Sequence, residues 1–164
     1  MYHISNQFLN LLRKHGASQG NRIYSLLPLL PANWISFMAT IKGGYIMMPT
    51  ATNLTSRDLI YRFGSLFPEI FITDIENAPK IDEAEKEFGK SLKLKICVDG
   101  VRDGWVSFDD LMEEPTEAKV APTRADDAVL YFFTSGTTGL PKIVVHTHFT
   151  YPVGHLSTAS WIGC

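Results

Sequence analysis

The sequence predicts an α/β fold, a mostly parallel sheet flanked by helices. Two observations carry that expectation. Through residues 1–98, short apolar runs of strand length alternate with helical patterns of roughly 10 to 15 residues. The 164-residue chain is also 45% apolar with 12 Gly and 9 Pro, the profile of an ordinary globular domain rather than a disordered, collagen-like or disulfide-built one. A chain of that length buries roughly 70% of the surface its unfolded form exposes, so a core forms without metal or disulfide.

Each element follows from local chemistry. Ile4-Ser5 ahead of Phe8, Leu9, Leu11 and Leu12 predicts a capped first helix, with Ile4 and Leu9 as a hydrophobic staple and Gly16 as its stop. Residues 22–27 form a strand-length run closed by Pro28. Asn33 is placed to cap a second helix whose core stripe is Trp34, Phe37, Met38 and Ile41, ended by Gly43-Gly44. Residues 45–48 read as a strand. Thr55-Ser56-Arg57-Asp58 is a capping-box variant opening a helix with Leu59, Ile60 and Phe63 inward. Residues 69–73 follow as a strand. Pro79 suits the first turn of a helix with Ile81, Ala84 and Phe88 inward, its Lys, Asp and Glu residues forming a solvated face. Residues 94–98 make the next strand.

These elements compose an α/β subdomain over residues 1–98. Residues 99–127 are acidic and broken by Gly100, Gly104, Pro115 and Pro122, with one amphipathic patch at Phe108, Leu111 and Met112. They read as a surface connection holding one brief helix. Residues 128–164 form a third unit, strand, turn, strand and helix, with Lys142 as the one formally charged side chain. So few charges predict a stretch enclosed by protein. It nonetheless runs out at Trp161-Ile162-Gly163-Cys164, so the chain is read as a fragment, incomplete at its C-terminal end.

Fifteen basic against 17 acidic side chains give a net charge of −2, which argues against nucleic acid as a partner. The longest uninterrupted apolar run, residues 128–133, is far short of the ~18 a membrane span requires. Residues 1–10 lack the basic-then-apolar order of a signal peptide. Two cysteines, Cys97 and Cys164, suit a reducing compartment as inert thiols, and the expected location is cytoplasmic.

Chemistry concentrates in residues 131–142, YFFTSGTTGLPK. Glycines let successive N–H groups curl into one anion-binding concavity, while Thr134, Ser135, Thr137 and Thr138 add rotatable hydroxyls. Pro141 stiffens the exit, so Lys142 arrives at the loop's end as a point charge. The NTPase P-loop pattern fails here. Counted from Gly136, its second glycine falls on Pro141, and its Ser or Thr after lysine falls on Ile143. No GxGxxG is present. His146 and His148 lie two apart on one face of a predicted strand, with His155 on the helix that follows. A three-histidine zinc site is weighed and set aside, because no cysteine or carboxylate sits at ligand spacing.

TSGTTGLPK resembles the phosphate-loop signature of the adenylate-forming (AMP-binding) superfamily, which includes acyl-CoA synthetases, luciferases and peptide-synthetase adenylation domains. Ile143 stands where that family usually has glycine. Medium-chain synthetases resembling acetyl-CoA synthetase commonly place a bulky apolar residue there. Residues 26–63 are similar to the family's early helix-strand-helix block, with Pro49-Thr50 ahead of a Leu-x-x-x-Asp segment at Leu54 and Asp58. Val98-Asp99-Gly100 with Gly104-Trp105 is similar as well. The resemblance covers essentially the whole chain but only the N-terminal part of the family's enzyme.

It implies a ligase of fatty acid metabolism that joins a carboxylate to ATP, releases pyrophosphate from an acyl-adenylate, and exchanges AMP for the thiol of CoA. ATP, Mg²⁺ and CoA are the implied cofactors, and carboxylate, ATP and CoA the implied partners. The implied nucleotide-binding residues are Thr134, Ser135, Gly136, Thr137, Thr138, Gly139 and Lys142, with His146 near the substrate. The family's aromatic-Thr-Glu segment, its Thr-Gly-Asp and its C-terminal catalytic lysine have no counterpart here, so no catalytic set is complete and activity of this chain alone is not expected. The alternative is a stand-alone nucleotide- or phosphate-binding or interaction module without catalysis. Removing the cover of residues 149–162 is expected to expose Phe149, Tyr151, Leu156, Trp161 and Ile162 and to drive homo-oligomerisation through that face.

Overall fold

The computed structural model describes residues 1–134 and 141–163. Among them, seven strands form one sheet: β1 (Arg22–Leu26), β2 (Ile46–Pro49), β3 (Ile70–Thr73), β4 (Leu94–Cys97), β5 (Val106–Ser107), β6 (Ala128–Thr134) and β7 (Lys142–Thr147). Their order is β5-β4-β3-β1-β2-β6-β7, and all neighbours are parallel except the β6–β7 hairpin. The helices are α1 (Tyr2–Lys14), α2 (Pro31–Gly43), α3 (Ser56–Ser65), α4 (Ala78–Phe88) and α5 (Thr150–Ile162). The predicted mostly parallel α/β architecture is therefore the observed one.

The parallel strands are short apolar runs because both faces of the sheet are covered. On one face Ile23, Ile70, Ile72 and Ile96 meet Phe8, Leu11 and Leu12 of α1 and Ile35 and Ala39 of α2. On the other, Tyr24, Leu26, Met48 and Phe71 meet Leu59 and Phe63 of α3 and Ile81 and Ala84 of α4. Tyr24 lies fully buried in an aromatic stack, 5.5 Å from Phe71 and 6.3 Å from Phe133 between ring centroids. Among the described residues its hydroxyl has no hydrogen-bond partner, and burial pushes its pKa well above the ordinary phenol value.

The capping box at the start of α3 forms as read: the Thr55 side chain accepts from Asp58 N–H, and the Asp58 carboxylate accepts from Thr55 N–H. Pro79 occupies the first turn of α4. Two helix starts differ from expectation. α1 begins at Tyr2, so Ser5 is an interior, buried residue. Its hydroxyl donates to Tyr2 O at 2.9 Å and accepts from Lys42 Nζ at 2.8 Å. That ammonium also donates to Asn6 Oδ1 at 2.7 Å and Tyr2 O at 3.1 Å, all neutral acceptors, and burial lowers its pKa. α2 begins with Pro31 after Leu30, and Asn33 Oδ1 accepts the Ser25 hydroxyl at 3.1 Å instead of capping.

The core stripe of α2 is also corrected. The side buried against sheet and α1 is Ala32, Ile35, Ser36, Ala39 and Gly43, whereas Trp34 is 54% exposed and Met38 is exposed as well. Small residues win that side because the helices approach closely. A Cβ on Gly43 would collide with the Tyr45 ring and with Leu9, the latter at 2.8 Å. Phe37 and Ile41 are half-buried toward Met47, Val129 and Leu130.

Beyond β4, an Asp82 carboxylate on α4 ties the sheet edge together. It accepts from Lys95 Nζ at 2.7 Å, Arg102 Nε at 2.8 Å and Trp105 Nε1 at 3.1 Å. Residues 99–127 hold the two-residue strand β5, absent from the sequence reading, and a 3₁₀ helix, Phe108–Glu113, where the brief helix was expected. Phe108 and Leu111 are buried, while Met112 is exposed.

The hairpin and α5 are less enclosed than their composition suggests. No residue of α5 is buried, and Trp161 is 92% exposed, Leu156 71% and Phe149 61%. Tyr151 and Ala159 are half-buried, Tyr151 against Phe37 at 5.5 Å. Among the described residues, neighbours cover α5 from one side only.

Two measurements test this account. Tyr24→Phe removes a buried donor that has no acceptor among the described residues, so the urea midpoint should rise by the equivalent of about 1 kcal/mol. Burial alone would raise the Asp82 pKa, but the bonds from Lys95 and Arg102 outweigh it and hold the carboxyl below its ordinary range. Its stabilisation is thus complete above about pH 4 and lost as pH falls through the depressed folded value. Asp82→Asn should cost about 1 kcal/mol at pH 7, discounted for partial exposure, and flatten the acid limb of stability against pH.

Candidate functional site

The β6–β7 hairpin presents the motif. The register pairs Leu130 with His146, Phe132 with Val144 and Thr134 with Lys142. Side chains alternate along a strand, so Thr134, Lys142 and His146 share one face, the face of Leu130 and Phe132. Thr134 and Lys142 are both exposed and close the mouth of the hairpin, where Thr134 Oγ1 lies 3.4 Å from Lys142 O. β6 runs parallel to β2, so this mouth lies at the carboxyl end of the parallel sheet, the end where open α/β sheets bind ligands. Ser135, Gly136, Thr137, Thr138 and Gly139 lie outside the described residues.

His146 sits deeper on the same face. Its ring meets Phe132 edge-on at 5.7 Å and Tyr151 at 6.4 Å, and Tyr151 in turn meets His155 at 4.4 Å. Phe132, His146, Tyr151 and His155 line a cavity of about 240 Å³. Phe132 and Tyr151 also wall a second space of about 120 Å³, closed by Trp34, Phe37, Met47 and Pro49. Burial raises the Tyr151 pKa. These aromatic walls escaped the sequence reading, which spent Trp34 and Phe37 on the core. The signal was the breadth of apolar surface on α2, more than one face needs.

The three histidines do not converge. β7 ends at Thr147, and a turn held by the Thr150 hydroxyl, which accepts from Thr147 N–H at 2.8 Å, breaks the alternation. His148 therefore enters a separate cavity beside Gly20, Gly44 and Asp127, with its Nε2 buried and without a partner among the described residues. Among the described residues, no three His, Cys, Asp or Glu side chains are grouped to hold a metal ion.

The family model described as AMP-binding enzyme matches residues 1–162. The chain belongs to that family. Among curated relatives, it is 42% identical over 160 residues to 4-hydroxybutyrate–CoA ligase 1 of Metallosphaera sedula, a match covering 98% of this chain and 27% of the relative. It is 36% identical over 150 residues to the mitochondrial acyl-coenzyme A synthetase ACSM5 of Homo sapiens, covering 90% of this chain and 26% of that one. Among solved structures, the anthranilate CoA ligase AuaEII in complex with anthranoyl-AMP superposes with a TM-score of 0.85 at 27% identity, over 94% of this chain and 30% of that one. This AMP-binding chain thus spans about a quarter of the length of the curated relatives it matches. Among its described residues, no helix is long and apolar enough to cross a membrane.

Proposed function

We propose that this chain carries the ATP phosphate-binding portion of an acyl-CoA synthetase, which forms acyl-CoA, AMP and pyrophosphate from a carboxylate, ATP and CoA through an acyl-adenylate. The observation that supports this most directly is the hairpin that sets Thr134 opposite Lys142 at the carboxyl end of the sheet, in a chain matched by the AMP-binding family over nearly its whole length. Residues 134–142 then grip the β- and γ-phosphates. Lys142 contributes a fixed cation, the hydroxyls of Thr134, Ser135, Thr137 and Thr138 donate to phosphate oxygens, and the glycines at 136 and 139 allow the backbone amides to approach.

Such contacts orient the α-phosphorus for in-line attack by a carboxylate and restrain the departing pyrophosphate, so this segment's share of catalysis is positioning and charge neutralisation. Mg²⁺ prefers oxygen ligands, mostly phosphate and water, and the exposed Thr134 hydroxyl is the described side-chain oxygen at the hairpin mouth that fits such a shell. The bound ion would neutralise charge on the triphosphate. The half-buried His146, in its aromatic cavity on the same face, borders the carboxylate side of the reaction.

Adenine, ribose and CoA contacts, together with the catalytic lysine, belong to sequence outside these residues in the family, so the chain alone is proposed to bind phosphate weakly and to adenylate nothing. ATP-dependent hydroxamate formation or pyrophosphate release above the level of a Lys142→Ala control would refute this. For wild type, tripolyphosphate binding by calorimetry should be detectable in the millimolar range and weaken about tenfold in Lys142→Ala, the loss of one charge-assisted contact. The uncovered Phe149, Leu156, Trp161 and Ile162 are further proposed to pair with a second copy. Sedimentation velocity should report dimer or larger species that shift toward monomer in Leu156→Ser/Trp161→Ser, and clean monomer at high concentration would sink the idea.

A further inference from the structure

The segment between the 3₁₀ helix and β6 crosses α1 without any strand pairing of its own, and side-chain amides hold it there. Asn6 Nδ2 donates to Thr116 O at 2.8 Å, Gln7 Nε2 to Glu114 O at 3.0 Å, and Asn10 Nδ2 to both Pro115 O and Glu117 O at 2.9 Å. Asn6 and Asn10 are one helical turn apart, so their amides face the same extended stretch of chain. Further on, Gln19 Nε2 donates to Pro122 O at 2.8 Å, and Ala121 N–H donates to Lys42 O at the end of α2, also at 2.8 Å. Every side chain in this row offers an NH₂ group to a backbone carbonyl.

At its start Lys14 Nζ also reaches Glu114 Oε1 at 2.6 Å, and at its end Ala125 O and Asp127 O accept from Phe149 N–H and His148 N–H at 3.0 Å; between them little else anchors this strap. Its one large aliphatic side chain, Val120, is exposed, and Ala118 supplies its packing against the core. What the strap leads into is β6, whose register with the parallel sheet rests on the single pairing of Met47 with Leu130. The rest of the β6 ladder runs to β7. A strand so briefly paired to its parallel neighbour depends on where its entering chain is tied.

We infer that Asn6, Gln7, Asn10 and Gln19 are positioning residues, an amide clamp that fixes the strap and thereby the seating of β6 on β2. Through β6 the clamp sets where Thr134 and Lys142 open at the end of the sheet. Its consequence for phosphate rests on the function proposed above, while the clamp itself rests on the strap's hydrogen bonds alone.

Hydrogen exchange on the intact chain tests it. Asn10→Asp keeps the side chain's size but turns an oxygen toward two carbonyls. Amides of residues 128–133 should then exchange about tenfold faster while those of β1, β3 and β4 hold their wild-type rates. Asn10→Gln, which retains the donor, should restore at least half of the lost protection on a logarithmic scale. Gln19→Ala, in an exposed loop where folding is not at stake, should show the same selectivity with a several-fold effect. Unchanged exchange in β6, or equal acceleration in every strand with both Asn10→Asp and Gln19→Ala, overturns the proposal. A wild-type chain that fails to bind tripolyphosphate defeats the phosphate reading instead and leaves the β6 exchange result to decide the clamp.

Discussion

Pairing of β1 with β2 on one side and β3 on the other organises the molecule. Both pairings are parallel, and parallel neighbours must be joined by crossover connections, so helices α2, α3 and α4 are carried over the sheet and cover β1 on both faces. Ile23 meets α1 and α2 on one side, and Tyr24 and Leu26 meet α3 and α4 on the other. The hairpin that carries the motif is attached outward from that ladder. β6 joins through Met47 and Leu130, β7 joins through β6, and the motif lies between the last two strands.

This outward order explains why the motif-bearing hairpin sits where packing thins. The central strands hold apolar side chains on both faces and leave no room for solvent-facing donors, whereas Thr134 and Lys142 stand at the rim of the sheet, exposed and paired to each other. His146 marks the transition, half-buried among Phe132 and Tyr151. A graded setting of this kind suits a site in which a charged ligand is held at the mouth and an apolar or aromatic wall lies behind it.

Polar side chains inside the helical layer serve the same geometry. The Lys42 ammonium, surrounded by neutral oxygens of Tyr2, Ser5 and Asn6, bonds the first turn of α1 to the end of α2. The Lys42 carbonyl accepts from the strap that enters β6. Buried donors with all their acceptors in place restrict the arrangements open to their neighbours, so these contacts act on register more than on gross stability.

The sequence by itself determined what depends on neighbours a few residues away. The alternation of strands and helices, the Thr55–Asp58 capping box, Pro79 in the first turn of α4 and the TSGTTGLPK motif were all legible, because caps, turns and apolar periodicity are local. Tertiary structure decided what depends on partners far along the chain. Asn33 looks like a cap until Ser25 claims its side chain, and Ser5 until Lys42 does. The stripe of α2 reads as Trp34 and Met38 until close approach of Tyr45 and Leu9 reserves the buried side for Ala39 and Gly43. β5 is two residues long and exists through its pairing with β4, so no periodicity could announce it. The separation of His148 from His146 follows from a turn at Thr147–Thr150 that breaks strand alternation, a hydroxyl contact that spacing alone does not encode.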